Sequence, residues 1–89
     1  MRPRSPRLGA LGQAIEQCRK GRGLSQRELS ERSGLHPTHI SGLERGARNP
    51  TYGSLVEVAE GLGISVGELT VLADEIYDRP PAGRRRKKR

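Results

Sequence analysis

The chain has 89 residues with a hydrophobic fraction of 31%, two tyrosines and no Trp or Phe, which allows one compact domain with a small aliphatic core and excludes two. Its formal charge of +7 favours a polyanionic partner and is unevenly spread: residues 1–23 carry six basic groups against one acid, residues 24–78 four against nine, and residues 79–89 seven and no acid. Cys18 is the single cysteine, so an intramolecular disulfide and a cysteine-based metal site are excluded, and no apolar run has signal or transmembrane length, which gives a cytoplasmic expectation with no membrane partner.

Residues 1–7 hold three arginines and two prolines and are expected to form a basic disordered arm. Helical periodicity begins at Leu8, with Leu8, Leu11, Ile15 and Cys18 on one face and Ala14 beside them. Gly9 and Gly12 weaken the first turn of this helix, and Gly21 and Gly23 end it. Ser25 and Glu28 form a capping box for a second helix that turns Leu29 inward. Gly34 is placed to take a left-handed conformation. His36 caps a third helix and Pro37 takes its first position, where no donor is needed. Ile40 and Leu43 of that helix face inward, Gly46 stops it, and Asn49-Pro50 prevents continuation.

Thr51 caps a fourth helix in which Leu55, Val58, Ala59 and Leu62 follow the i, i+3, i+4, i+7 pattern, and Gly63 ends it. Ser65 and Glu68 make a second capping box. The fifth helix carries Val66, Leu69, Leu72, Ala73 and Ile76. Leu69, Leu72 and Ile76 exceed what so small a core needs, so their surplus face, with Val71 or Tyr77 at its edge, is the expected contact of a homodimer. Residues 79–89 hold no core residue and are expected to be a basic disordered tail, which leaves 8–78 as the folded domain. The fold class is all-α with five short helices, and no strand pattern or repeat interrupts them.

The informative segment runs from Ser25 to Gly46. Two helices of about eight residues meet at a tight turn, Leu29, Leu35, Ile40 and Leu43 fix their mutual angle, and Ser30 is small where they approach. That geometry lets the second helix enter a DNA major groove while the first crosses the backbone. On Arg19, Gly23-Leu24-Ser25-Gln26, Leu29, Gly34-Leu35, Ile40-Ser41, Leu43-Glu44-Arg45-Gly46, Asn49-Pro50 and the run ending in Glu68-Leu69, the chain resembles the lambda-repressor and Cro-like helix-turn-helix, or XRE, family. The likeness covers roughly Leu11 to Leu69, and residues 36–42 are also similar to the restriction-modification controllers within that family.

The resemblance implies a five-helix lambda-repressor-like domain and a transcription regulator, a repressor or controller, that binds double-stranded DNA as a dimer. It implies that Gln26 binds a phosphate and braces the third helix, that Thr38 and His39 meet base edges, and that Ser41 lies on the backbone side of the groove. Arg45, Arg48 and Asn49 then match the phosphate-contacting loop, and Arg27, Pro37 and Gly42 complete the DNA-facing set. Arg19 and Glu44 match a structural salt bridge. The sequence departs from the family where Pro37 and Gly42 replace frequent base readers, so direct readout rests on Thr38 and His39, and where Ser33 stands at a usually apolar position and is expected to lose core packing.

Other readings fit less well. An antitoxin-like protein-interaction module with weak DNA binding would want apolar anchors after Tyr77, and there are none. A single-stranded nucleic acid binder would want aromatics for base stacking. His36 and His39 lack a third metal ligand. No nucleophile with a base, acid pair or phosphate loop suggests an enzyme, and nothing calls for a cofactor or small-molecule ligand.

Overall fold

The computed structural model describes residues 3–79, and every regular element among them is a helix. α1 spans Pro6–Gly21, α2 Gln26–Ser33, α3 Pro37–Glu44, α4 Tyr52–Leu62 and α5 Val66–Asp78. The all-α, five-helix architecture is the one the sequence predicts, and its boundaries have local causes. The Ser25 and Ser65 hydroxyls accept the backbone N–H of Glu28 and Glu68 at 3.0 Å, and each glutamate carboxylate accepts the serine N–H in return. His36 caps α3 through Nδ1, which accepts the Thr38 N–H at 3.1 Å, with Pro37 at the first helical position. Gly34 closes α2 at φ 81°, in the left-handed region where a side chain is strained.

The start of the chain departs from expectation. α1 begins at Pro6 rather than Leu8, because the Ser5 hydroxyl accepts the Leu8 N–H at 3.1 Å and Pro6 needs no donor there. Residues 3–7 are therefore not a separate disordered arm. The Arg4 N–H donates to the Gly46 carbonyl at 2.8 Å, and Pro3 packs against Gly9 and Gly46. Met1, Arg2 and the expected tail from residue 80 onward lie outside the described residues.

α1 packs most extensively on α5 and also on α3, while α2 packs on α3 and α4. The core consists of Ala10, Leu11, Ala14 and Ile15 from α1, Leu29 from α2, Ile40 and Leu43 from α3, and the buried faces of α4 and α5. Burial of each large aliphatic side chain contributes about 1.5–3 kcal/mol. Leu69 is fully buried and Ile76 is 8% exposed, so the proposed surplus face of α5 is corrected: these residues cover α1 instead of a second copy. Leu72 is half-buried, and the exposed apolar side chains of α5 are Val71 and Tyr77.

Two close approaches give the small residues their meaning. A Cβ on Gly12 would lie 2.3 Å from the Glu44 carbonyl oxygen and 2.5 Å from that of Leu43. Gly12 is thus the seat on which the end of α3 rests, rather than a weak point of α1. Ser33 is buried against Gly61, where an added Cβ would be 3.2 Å from the Ser33 Cβ. Its hydroxyl donates to the Ser30 carbonyl at 3.4 Å and accepts the Leu35 N–H at 3.2 Å. The expected packing defect at Ser33 does not arise, because α2 and α4 approach too closely there to admit a larger side chain.

Candidate nucleic-acid interface

α3 is held by a charged bracket at its C-terminal end. Arg19 of α1 donates to Glu44 from Nε at 2.7 Å and from Nη2 at 3.1 Å, and both side chains are less than a tenth exposed. The remaining guanidinium nitrogen donates to the Leu24 carbonyl at 2.8 Å, and the Gln26 amide donates to Glu44 Oε1 at 2.9 Å. One carboxylate therefore ties α1, the α1–α2 loop and the start of α2 to the last turn of α3. The hydrogen bond that Arg19 donates to Glu44 raises the Arg19 pKa above its ordinary value, which outweighs desolvation.

The bracket also has an electrostatic consequence. Between Arg32 and Val56 the only acid is Glu44, and its charge is met by Arg19, with Gln26 adding a neutral hydrogen bond. The stretch containing α3 and its following loop is left with Arg32, Arg45 and Arg48 and no uncompensated carboxylate of its own. The whole segment 24–78 is acidic on balance, yet its acids lie away from this stretch along the chain.

The candidate residues divide by position. Thr38 is exposed and His39 half-buried on the first turn of α3, with Pro37 half-buried before them. Ser41 accepts from the exposed Arg45 one turn later. Arg27 is exposed on α2, and Arg48 and Asn49 are exposed in the loop after α3. Gln26 is half-buried and turned toward Glu44, in the bracing position.

Gly42 requires a correction. It was expected among the DNA-facing residues, but it is buried: the Arg48 side chain lies across it, and a Cβ there would be 2.8 Å from Arg48 Nε and 3.0 Å from Cγ. The absent side chain makes room for an arginine from the next loop.

His39, Arg48, Asn49, Thr51 and Ser54 also line a cleft of about 270 Å³, together with Arg4. From the sequence, Arg2, Arg4 and Arg7 belong to a flexible basic arm able to reach along a duplex; the contact that seats Arg4 in this cleft, on Gly46, lies far away along the chain. No group of three His, Cys, Asp or Glu among the described residues could hold a metal ion. No helix among them is long and apolar enough to cross a membrane.

Residues 15–69 match the helix-turn-helix family. The chain belongs to that family, in its lambda-repressor and Cro-like, XRE-type branch. Among helix-turn-helix relatives, the uncharacterised transcriptional regulator y4dJ of Sinorhizobium fredii is 43% identical over 65 residues, which cover 73% of this chain and 84% of y4dJ. The restriction-modification controller protein C.AhdI of Aeromonas hydrophila is 37% identical, with a TM-score of 0.68 over 70% of this chain and 94% of that one. The controller protein C.Esp1396I, solved as a tetramer with its natural 35-base-pair operator, is 31% identical, with a TM-score of 0.79 over 84% of this chain and 99% of that one. Within this helix-turn-helix frame, α2 and α3 are the paired helices, joined by the turn at Gly34.

Proposed function

We propose that this helix-turn-helix protein is a dimeric, sequence-specific regulator of transcription that inserts α3 into the major groove of double-stranded DNA. The observation that carries the reading is the first turn of α3, where Thr38 is exposed and His39 half-buried, with Arg45 and Arg48 at and beyond its C-terminal end, on a stretch whose single acid is neutralised by Arg19 and hydrogen-bonded by Gln26. Thr38 and His39 are the base readers. Arg27, Arg45, Arg48 and Asn49 hold phosphates and set the register. Pro37 and the Thr38 methyl offer apolar contact to a thymine methyl. The operator complex of C.Esp1396I supports the choice of duplex DNA as partner.

A helix of eight residues reads few bases, so a second copy is needed for a useful site, with the two recognition helices about 34 Å apart, one turn of DNA. The protein acts as a binding module in the cytoplasm, not as a catalyst, and its output is occupancy of an operator. Selection of duplexes from a random pool by the purified full chain tests this directly. The expected product is a two-fold symmetric site with half-sites about 10 base pairs apart. A pool that stays random after repeated rounds overturns the reading.

A further inference from the structure

The segment before α1 is fastened to the turn after α3. The Arg4 N–H donates to the Gly46 carbonyl at 2.8 Å, and the Pro3 ring occupies a seat made by two glycines. A Cβ on Gly46 would come within 2.7 Å of Pro3 Cβ, and one on Gly9 within 3.0 Å of Pro3 Cγ. Gly46 has φ 72°, so a side chain would be strained there on backbone grounds as well. Residues 3 and 4 therefore form a short strap across α1 and the α3–α4 loop. The strap brings the exposed Arg4 to the same cleft as Arg48, His39 and Asn49, and no acid lines that cleft.

We propose that this strap makes Arg4 a phosphate-binding residue, which with Arg48 clamps the DNA backbone beside the groove that α3 enters. The inference rests on the duplex-DNA reading above and extends it to a residue outside the helix-turn-helix. The occupant is a backbone phosphodiester. The cleft offers two guanidiniums, which bind phosphate oxygens through paired N–H donors, and the polar side chains of Asn49, Thr51 and Ser54. Because the Arg4 main chain is already bound to Gly46, its side chain reaches the phosphate from a fixed root, and only the side chain, not the main chain, has to be ordered on binding.

The clamp recognises no base, so Arg4 strengthens binding to all sequences alike. Each phosphate contact contributes about 0.9 to the slope of log affinity against log salt, so one contact changes the affinity ratio between 50 and 200 mM salt by about 3.5-fold. The test compares the full chain with Arg4→Gln and Arg48→Gln on a duplex enriched by the wild type and on a shuffled duplex, at four salt concentrations. Arg4→Gln retains the main-chain donor to Gly46, and thermal melting checks that the fold is kept. The expected result is a slope reduced by about 0.9 for each single variant and by about 1.8 for the double variant, with the preference for the enriched duplex unchanged. Wild-type slope and affinity in Arg4→Gln, with DNA still bound, overturn the clamp and leave the base-reading helix standing. Loss of sequence preference in Arg4→Gln also overturns it, since the residue would then act through α3. A wild-type protein that binds no duplex overturns both readings.

Discussion

Replacing Glu44 by alanine should be among the most destabilising single changes in this protein. Glu44 accepts three side-chain hydrogen bonds, at 2.7 and 3.1 Å from Arg19 and at 2.9 Å from Gln26. Its loss leaves the Arg19 guanidinium, 9% exposed, with the Leu24 carbonyl as its other recorded hydrogen-bond acceptor. Breaking a buried pair by removing one partner typically costs about 3–5 kcal/mol, because an uncompensated charge stays buried. Total stability for a small domain is about 5–15 kcal/mol, so the change takes a large share of it. At roughly 4–8 °C per kcal/mol for a chain of this size, Tm should fall by on the order of 12–40 °C. Far-UV circular dichroism on heating and in urea measures this for Glu44→Ala, Arg19→Met and the double variant Arg19→Met/Glu44→Met. The double variant should recover a good part of the loss, since replacing both charges by apolar groups is often neutral. If Glu44→Ala melts within a degree or two of wild type, the bracket does not hold α3 and the reasoning is refuted.

Two further outcomes follow from the packing. Gly12→Ala should destabilise by at least about 1–3 kcal/mol, since its Cβ meets backbone oxygens that cannot step aside, whereas Gly21→Ala, with nothing within 4 Å, should be neutral or stabilise by up to about 1 kcal/mol. Urea unfolding of the two variants checks the contrast, and equal effects would contradict the close approach of α1 and α3. Desolvation raises the Cys18 thiol pKa above its ordinary value, against a smaller lowering by Arg22, so less thiolate is present at neutral pH. Iodoacetamide should therefore label Cys18 several-fold more slowly in the native protein than in urea, and equal rates would show that the thiol is not shielded.

The elements that could be read in the sequence are those whose causes are local. The capping boxes at Ser25–Glu28 and Ser65–Glu68, the His36-Pro37 helix start and the left-handed Gly34 each depend on residues within a few positions, and all four occur in the structure. The elements that were misread depend on partners distant in the chain. Gly12 is explained by Glu44 and Ser33 by Gly61, while Gly42 is explained by the side chain of Arg48, nearer in the chain but folded back over α3 from the following loop. Pro3 and Arg4 looked like part of a polar arm until Gly9 and Gly46 supplied a seat. Leu69 and Ile76 looked surplus because periodicity shows which face of α5 is apolar but not that α1 lies against it. Within the candidate site, the helix and its polar side chains were legible from spacing and resemblance. The cleft behind it was not, because three separate segments build it.

The central claim is that α3 reads bases, and the most direct test is the ratio of affinities for the enriched duplex and a shuffled one at fixed salt. The comparison is made for wild type, Thr38→Ala and His39→Ala. Removal of a base contact should weaken the enriched duplex by about 1–3 kcal/mol and leave the shuffled one nearly unchanged, so the ratio should fall roughly 5- to 150-fold in each variant. Equal losses on both duplexes, with the ratio preserved, would contradict the account and show that α3 lies on the DNA without reading it.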